Sequence, residues 1–141
     1  MDTKTRNRVL RVARRWINTP WQHQARLQGV GVDCAQLLCA VFEEAGLIPH
    51  VDPRPYPRDW HFHRDDERFV RWLEKYADEV EKPVRGDVAV FKFARTFSHG
   101  SIVVAWPMVL HCYIGDFVRE QSAHEGHLAE RDVRFFRVKQ Q

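Results

Sequence analysis

The fold is decided by residues 31–46, which read GVDCAQLLCAVFEEAG. The apolar residues of this stretch recur at helical spacing and are Leu37, Leu38, Val41, Phe42 and Ala45. Such spacing predicts an amphipathic helix that packs one side against a core. Asp33 is a favourable N-cap residue before this helix, and Gly46 stands where a left-handed C-terminal cap belongs. Cys34 is therefore expected at the first position of a helix that is central to the fold.

Outward from this helix, the N-terminal half predicts further helices and the C-terminal half predicts strands. Helical spacing covers residues 4–17 and 65–79, whereas residues 21–32 and 50–59 carry glycine or proline and are expected to be loops. Strand patterns cover residues 87–93, 101–106, 109–114, 117–121 and 133–138. Helices followed by antiparallel strands imply an α+β fold, with N-terminal helices packed on a central antiparallel sheet. We expect a single domain over residues 1–141.

The composition indicates a globular protein, because 44% of the residues are hydrophobic and 12% are aromatic. The formal net charge of +3 is spread along the chain, and the arginines near the N-terminus fit the solvated face of a helix. We therefore expect no nucleic-acid partner. No apolar run approaches the roughly 20 residues of a membrane-spanning helix, and residues 1–15 lack the apolar core of a secretory signal. We expect no stable membrane insertion and synthesis in the cytoplasm.

Neither a disulfide framework nor a metal site is expected. The cysteines are Cys34, Cys39 and Cys112. Their number is odd and none forms a Cys-x-x-Cys pair, which disfavours both disulfide staples and structural zinc. One polar group could suggest a metal: His61, His63, Asp65 and Asp66. Its spacing matches no typical metal site, and exposed loop residues explain it. We expect no metal and no organic cofactor.

Cys34 has two interpretations. A thiol attacks as the thiolate, and unpaired N–H groups at a helix N-terminus favour an anion there. The same donors can stabilise the oxyanion of a tetrahedral intermediate. Alternatively, Cys34 is a small apolar residue on the inner helix face, as buried cysteines often are. Cys39 lies off the apolar face in the middle of the helix and is interpreted as structural.

Two histidines could serve a nucleophilic Cys34. His99 precedes a predicted strand, where it could act as the base that accepts the thiol proton. His111 lies in the next predicted strand, where it shares a face with Val109 and Tyr113 because strand neighbours alternate. A polar group there could hold the His99 ring in one tautomer. A surface or satisfied core histidine remains the alternative for each residue alone.

Four stretches occur in an order that resembles a known family. They are Thr19-Pro20-Trp21 with residues 31–38, Gly86-Asp87-Val88, residues 98–103, and Val109-Leu110-His111. In this order they resemble the nucleophile motif, the turn into the first strand, the base-histidine strand and the third-polar-residue strand of NlpC-like peptidases. The resemblance spans residues 19–112. It implies a papain-like fold with Cys34 as nucleophile at a helix N-terminus, His99 as base and His111 as its orienting partner.

The resemblance also implies a substrate. NlpC-like peptidases hydrolyse an amide bond in peptidoglycan stem peptides, often next to D-glutamate. Residues 21–24 and 29–34 look more like the phage-tail and prophage branch, which implies a cell-wall hydrolase made in the bacterial cytoplasm and incorporated in a virion tail, with other tail proteins as further partners. One alternative is a structural tail-tip or assembly component with weak or lost catalysis. Another is a related fold used for acyl transfer on lipids or amides.

Residues close to Cys34 in the sequence could line a cleft beside it. Trp21, His23 and Asp33 are the candidate substrate-binding residues. For His23 the alternative is a hydrogen bond that braces its loop, and for Asp33 it is the cap role alone. Trp21 stands where the family commonly has a tyrosine whose hydroxyl lies near the active site. Gln36 replaces the usual glycine and is expected to narrow the cleft.

Overall fold

The computed structural model describes residues 1–56 and 67–140. The helices are α1 (Thr3–Arg14), α2 (Cys34–Glu44), α3 (Arg68–Glu74) and a short 3-10 helix (Gly126–Leu128). The strands are β1 (Arg26–Leu27), β2 (Gly31–Val32), β3 (Ala77–Val80), β4 (Val88–Phe93), β5 (Thr96–Ala105), β6 (Met108–His111), β7 (Arg119–Ser122) and β8 (Val133–Val138). Helices lead and the sheet follows, so the predicted α+β class is confirmed.

Six strands form one antiparallel sheet in the order β3-β8-β4-β5-β6-β7. Strands β4 to β7 are neighbours both in sequence and in space, whereas β8 returns to lie between β3 and β4. The small pair β1–β2 forms a separate ribbon just before α2. Strand β5 therefore lies inside the sheet, with β4 on one side and β6 on the other.

The sheet buries both of its faces. The α1 and α2 side chains pack on the first face, where the core includes Leu10, Leu37, Ile102, Leu110 and Phe136. The second face carries a smaller cluster of Ala89, Phe91, Phe93, Val103, Val109, Ala123 and Leu128. Because strand residues alternate, His99 and His111 belong to the second face, in phase with Val103 and Val109. This agrees with the predicted face of His111.

Both ends of α2 agree with the sequence prediction. The Asp33 carboxylate accepts a hydrogen bond from the backbone N–H of Gln36 at 2.9 Å, which is the expected N-cap contact. Gly46 has φ +81°, and its neighbour Leu47 donates its N–H back to Phe42 O. This pattern satisfies the last carbonyls of the helix. The first position of α2, which is Cys34, is thus fixed by a strong local signal.

A buried carboxylate joins α1, β4 and β8. Asp87 is fully buried and accepts two hydrogen bonds from Arg137, at 3.0 and 2.9 Å. Arg6 of α1 contributes a third at 3.3 Å, and the backbone N–H of Val84 a fourth at 2.8 Å. A buried charge is tolerated when it is paired and hydrogen-bonded in this way. Asp87 therefore fixes the turn that leads into β4.

The largest error of the sequence prediction concerns the end of the helix expected at residues 65–79. Residues 65–79 were expected to be helical, but α3 ends at Glu74 and Ala77–Val80 is strand β3. Strand β3 pairs with β8 from Ala77↔Val138 to Val80↔Phe135. Pairing with the distant C-terminal strand overrides the local helical pattern. Residues 57–66, with the side chains His61, His63, Asp65 and Asp66, lie outside the described residues.

Smaller corrections concern strand and helix ends. Strand β5 begins at Thr96 rather than at residue 101, so His99 lies inside the strand and not before it. The early start follows from a tight connection at residues 94–95, which lets Thr96 pair with Phe93. Helix α1 ends at Arg14 instead of residue 17 because the following N–H groups bond three residues back.

The expected loop at residues 21–32 contains the β1–β2 ribbon. Strand β6 ends at His111 and β7 begins at Arg119, so each is shorter at the intervening loop than predicted.

Candidate active site

Cys34 begins α2 and lies against the backbone of β5. Its side chain is partly exposed, and the thiol donates a hydrogen bond to Ser98 O at 3.8 Å. The backbone N–H groups of Gly100, Ala35 and Cys34 itself also face the sulfur. The sulfur therefore contacts strand atoms on both sides of His99. The predicted nucleophile therefore lies against the backbone of the strand that carries the predicted base.

The surroundings of Cys34 favour the protonated thiol. Burial raises its pKa most, and the neighbouring Asp33 carboxylate raises it further, to about 12. The three backbone N–H groups act in the opposite direction, as expected at a helix N-terminus. Each of them has a smaller effect than burial. The residue that caps α2 therefore opposes the thiolate that the helix N-terminus would favour.

His99 and His111 are hydrogen-bonded to each other on the second face of the sheet. His99 Nε2 lies 2.8 Å from His111 Nδ1, and the ring planes meet at 88°. Aromatic rings surround His99, with Phe93 at 5.4 Å and Tyr113 at 5.7 Å between centroids. His111 is almost fully buried, and burial lowers its pKa below the ordinary 6.5. The two histidines that the sequence singled out are therefore in direct contact.

A further polar residue follows His111. Gln121 on β7 places Oε1 2.8 Å from His111 Nε2, so that His99, His111 and Gln121 form a continuous row. Sequence reasoning did not single out Gln121. The sequence carries only a weak signal for Gln121, because the strand was predicted at residues 117–121 without knowing which residues of a neighbouring strand it pairs with. Once Val109 is known to face Gln121 across the ladder, the side chain of Gln121 must share the face of His111.

Asp33 is committed to contacts within the chain. Besides capping α2 with one oxygen, it accepts with the other from Gln24 N at 2.7 Å and from the Tyr56 hydroxyl at 2.6 Å. Burial and the Asp33 charge raise the pKa of Tyr56 far above its ordinary value. The Tyr56 hydroxyl was not anticipated, because the proline-rich loop that carries it has no periodic pattern.

Trp21 and His23 lie together beside this network. Their ring centroids are 6.4 Å apart and nearly parallel, and His23 also meets Tyr56 edge-on at 5.4 Å. Both side chains are partly exposed, so a peptide could contact them. The backbone N–H of Trp21 donates to Asp116 O at 2.8 Å, which ties this loop to the loop between β6 and β7.

Gln36 lies inside the protein rather than in a cleft. It is fully buried, and its Oε1 accepts from Arg26 Nε at 2.7 Å. The same guanidinium reaches Glu43 at 3.0 Å and Val51 O at 2.6 Å. The expectation that Gln36 narrows the cleft is wrong, because its amide is turned toward Arg26 and fixes the ribbon against α2.

Over residues 1–56 and 67–140, no cluster of three or more His, Cys, Asp or Glu side chains could hold a metal ion. In the same part of the chain no helix has the length and apolar character needed to cross a membrane. All three cysteines are free thiols.

Three solved structures resemble the fold. The NlpC/p60 domain of the peptidoglycan hydrolase SagA matches with a TM-score of 0.60 and 15% identity, over 92% of this chain and 96% of that one. A Staphylococcus aureus protein of the NLP/P60 family, similar to a lipoprotein, matches with a TM-score of 0.65 and 17% identity. The match covers 95% of this chain and 42% of that one. The third is RipD from Mycobacterium tuberculosis, a non-catalytic NlpC/p60 domain protein adapted to peptidoglycan binding. It matches with a TM-score of 0.60 and 15% identity, over 98% of this chain and 100% of that one. No family model and no curated protein matches the sequence.

These likenesses establish the class of fold. The chain has the NlpC/p60 fold, in which helices pack on a six-stranded antiparallel sheet. The matched proteins include a peptidoglycan hydrolase and a non-catalytic protein with a peptidoglycan-binding adaptation. The same fold therefore serves both hydrolysis and binding, and the chemistry of this chain depends on its own side chains.

Proposed function

We propose that this protein is a cysteine peptidase that hydrolyses an amide bond in peptidoglycan stem peptides. The observation that carries the proposal is the His99–His111 hydrogen bond of 2.8 Å, on the strand whose Ser98 carbonyl contacts the Cys34 thiol. A nucleophile, a base and an orienting group in this order form the arrangement of a catalytic triad. The fold it shares with a peptidoglycan hydrolase supports the substrate class.

The raised pKa of Cys34 defines the resting state of the proposed mechanism. Because burial and the Asp33 charge raise the pKa of Cys34 to about 12, the thiol is protonated at pH 7. The thiol proton therefore moves to His99 as the sulfur attacks the substrate carbonyl, and the two events are coupled. Backbone N–H groups at the start of α2 stabilise the oxyanion that forms.

Breakdown of the intermediate completes the proposed reaction. His99 gives its proton to the leaving amine as the carbon–nitrogen bond breaks, which leaves a thioester on Cys34. His99 then takes a proton from water, the hydroxide displaces sulfur, and a carboxylate and the free thiol are released. No metal or organic cofactor takes part. Trp21 and His23 are proposed to line the cleft for the stem peptide, while the occupied oxygens of Asp33 favour a structural role for that residue.

A narrower proposal concerns the biological setting. The resemblance of residues 21–24 and 29–34 to phage-tail and prophage members supports a tail-associated hydrolase that opens the cell wall locally. Other tail proteins would then be its partners.

The test of the proposed function is digestion of purified muropeptides, followed by mass analysis of the products. Wild-type protein is expected to release fragments that differ by hydrolysis of one amide bond. Cys34→Ala should abolish release while leaving the far-UV circular dichroism and the melting temperature unchanged. Cys39→Ala is the matched control, because that thiol lies on the same helix away from the histidines. Equal cleavage by Cys34→Ala and wild type would contradict the proposal.

A second function is favoured by one observation. Burial and the Asp33 carboxylate both raise the pKa of Cys34, which suits a protein that binds stem peptides without cleaving them. RipD, a non-catalytic protein, has the same fold. In that case wild-type protein and Cys34→Ala would retain muropeptides equally in a binding assay, and neither would yield fragments.

A further inference from the structure

Gln121 is the last member of a row that begins at the proposed base. Its Oε1 lies 2.8 Å from His111 Nε2, and His111 Nδ1 lies 2.8 Å from His99 Nε2. The proposed mechanism uses the two histidines and assigns nothing to Gln121. Because an imidazole nitrogen donates only when it carries a proton, the identity of the last group in such a row determines every hydrogen bond before it.

The orientation of the Gln121 amide is fixed by the chain around it. Its Nε2 donates to Glu125 O at 3.2 Å, and a carbonyl oxygen can only accept. The amide oxygen must therefore be the atom that faces His111. Gly126 leaves room for this arrangement, since a Cβ on that residue would overlap Gln121 Nε2. The backbone of Gly126 also has φ +59°, which favours glycine.

The amide orientation determines the tautomers of both histidines. Gln121 Oε1 accepts, so His111 must carry its proton on Nε2. Burial lowers the pKa of His111, which keeps the ring neutral at pH 7 and leaves Nδ1 without a proton. His111 Nδ1 then accepts from His99 Nε2–H. In neutral His99, the lone pair is consequently on Nδ1.

We propose that Gln121 is a positioning residue that sets the tautomers of His111 and His99, so that Nδ1 of His99 is the atom that receives the Cys34 proton. The inference rests on the proposed function for its catalytic meaning, whereas the tautomers themselves are properties of the folded protein. Without the acceptor at residue 121, a proton on His111 Nε2 would be buried and unpaired, which is costly. The proton would shift toward Nδ1, and the donor and acceptor roles in the row would reverse.

Long-range ¹⁵N–¹H spectra of histidine-labelled protein test this inference directly. Spectra are recorded at pH about 8, where an ordinary histidine is neutral, and His99→Gln and His111→Gln assign the two rings. Wild type is expected to show Nε2–H on both rings. Gln121→Leu should populate the Nδ1–H form of His111, while Gln121→Glu keeps an acceptor and should restore the wild-type pattern. Glu120→Gln, on the same strand but the other face, should change nothing.

The outcomes separate this inference from the proposed function. A wild-type spectrum with Nδ1–H on His111, or a Gln121→Leu spectrum identical to wild type, would overturn it. If Gln121→Leu does not fold, the wild-type tautomers still decide. Where the wild type cleaves muropeptides, Gln121→Leu is expected to lower kcat about tenfold or more with KM within about twofold. If the wild type cleaves nothing, the proposed function fails while the tautomer measurement remains valid.

Discussion

The rings of His99 and His111 meet edge to face, with Nε2 of His99 2.8 Å from Nδ1 of His111. One proton lies between these two nitrogens, so when one ring donates in this hydrogen bond the other must accept. Burial disfavours a charge on His111. His111 is therefore expected to stay neutral and to act as the acceptor toward His99, on the strand whose backbone faces the Cys34 sulfur.

If the protein cleaves muropeptides as proposed, removal of His111 is expected to impair catalysis more than binding. His111→Ala leaves His99 without its orienting acceptor, and we expect kcat to fall about a hundredfold or more with little change in KM. His111→Asn retains a carbonyl oxygen that can accept from His99, so its kcat should lie between those of wild type and His111→Ala. Muropeptide kinetics measure both constants. His124→Ala, an exposed histidine, is the control. An Ala variant with the wild-type kcat would exclude an orienting role for His111.

Neutralisation of the cap of α2 is expected to lower the pKa of Cys34. The Asp33 charge raises that pKa, and Asn is also a favourable N-cap residue. In Asp33→Asn, alkylation of the thiol by iodoacetamide should therefore accelerate and reach half-maximal rate at lower pH than in wild type. Cys39→Ala and Cys112→Ala are present in both backgrounds, so that only one thiol is followed. Glu44→Gln, at the far end of the helix, should leave the profile unchanged. If the alkylation rate of Asp33→Asn depends on pH in the same way as that of wild type, the Asp33 charge does not raise the pKa of Cys34.

His111 should make stability depend on acidic pH. Its pKa is lowered in the folded protein, so the unfolded chain binds the proton more readily. The associated stability is present above the ordinary pKa of 6.5 and is lost as pH falls toward the lower folded value. Urea unfolding between pH 7 and 4 measures this dependence. In His111→Gln the loss should be smaller over that range, whereas His50→Gln, an exposed control, should follow wild type. A steeper loss in His111→Gln would show that the sign is wrong.

The buried ion cluster at Asp87 is expected to dominate the stability of the β4 turn. Asp87→Asn leaves Arg137 and Arg6 without their carboxylate, and we expect a loss of about 3 kcal/mol in the free energy of unfolding. Asp78→Asn removes an exposed ion pair with Lys139 and should cost less than about 1 kcal/mol. Chemical unfolding measures both variants. Equal losses would mean that burial does not strengthen the Asp87 contacts.

The parts of the fold that depend on local signals could be predicted from the sequence. The Asp33 cap, the helical spacing after it and the Gly46 end place Cys34 at the start of α2, and the structure agrees. Strand β8 was also predicted with its observed bounds, Val133–Val138, because its residues alternate. Such signals are carried by neighbouring residues and need no knowledge of distant partners.

The parts that depend on distant partners could not be predicted. Strand β3 forms because Ala77–Val80 meets β8, which lies more than fifty residues further along the chain. Gln121 becomes part of the site only because the β6–β7 register places it opposite Val109. The Tyr56 hydroxyl reaches Asp33 from a loop without a periodic pattern. In each case the decisive contact is set by tertiary packing.

The hydrogen bond from the Cys34 thiol to Ser98 O also bears on oxidation chemistry. Peroxide attacks the thiolate and converts it first to sulfenic acid, so the rate depends on how much thiolate is present. With a pKa of about 12, Cys34 keeps its proton at neutral pH. Cys34 should therefore resist peroxide better than an ordinary exposed cysteine, and the protein should keep its thiol in surroundings where activated thiolates are rapidly lost.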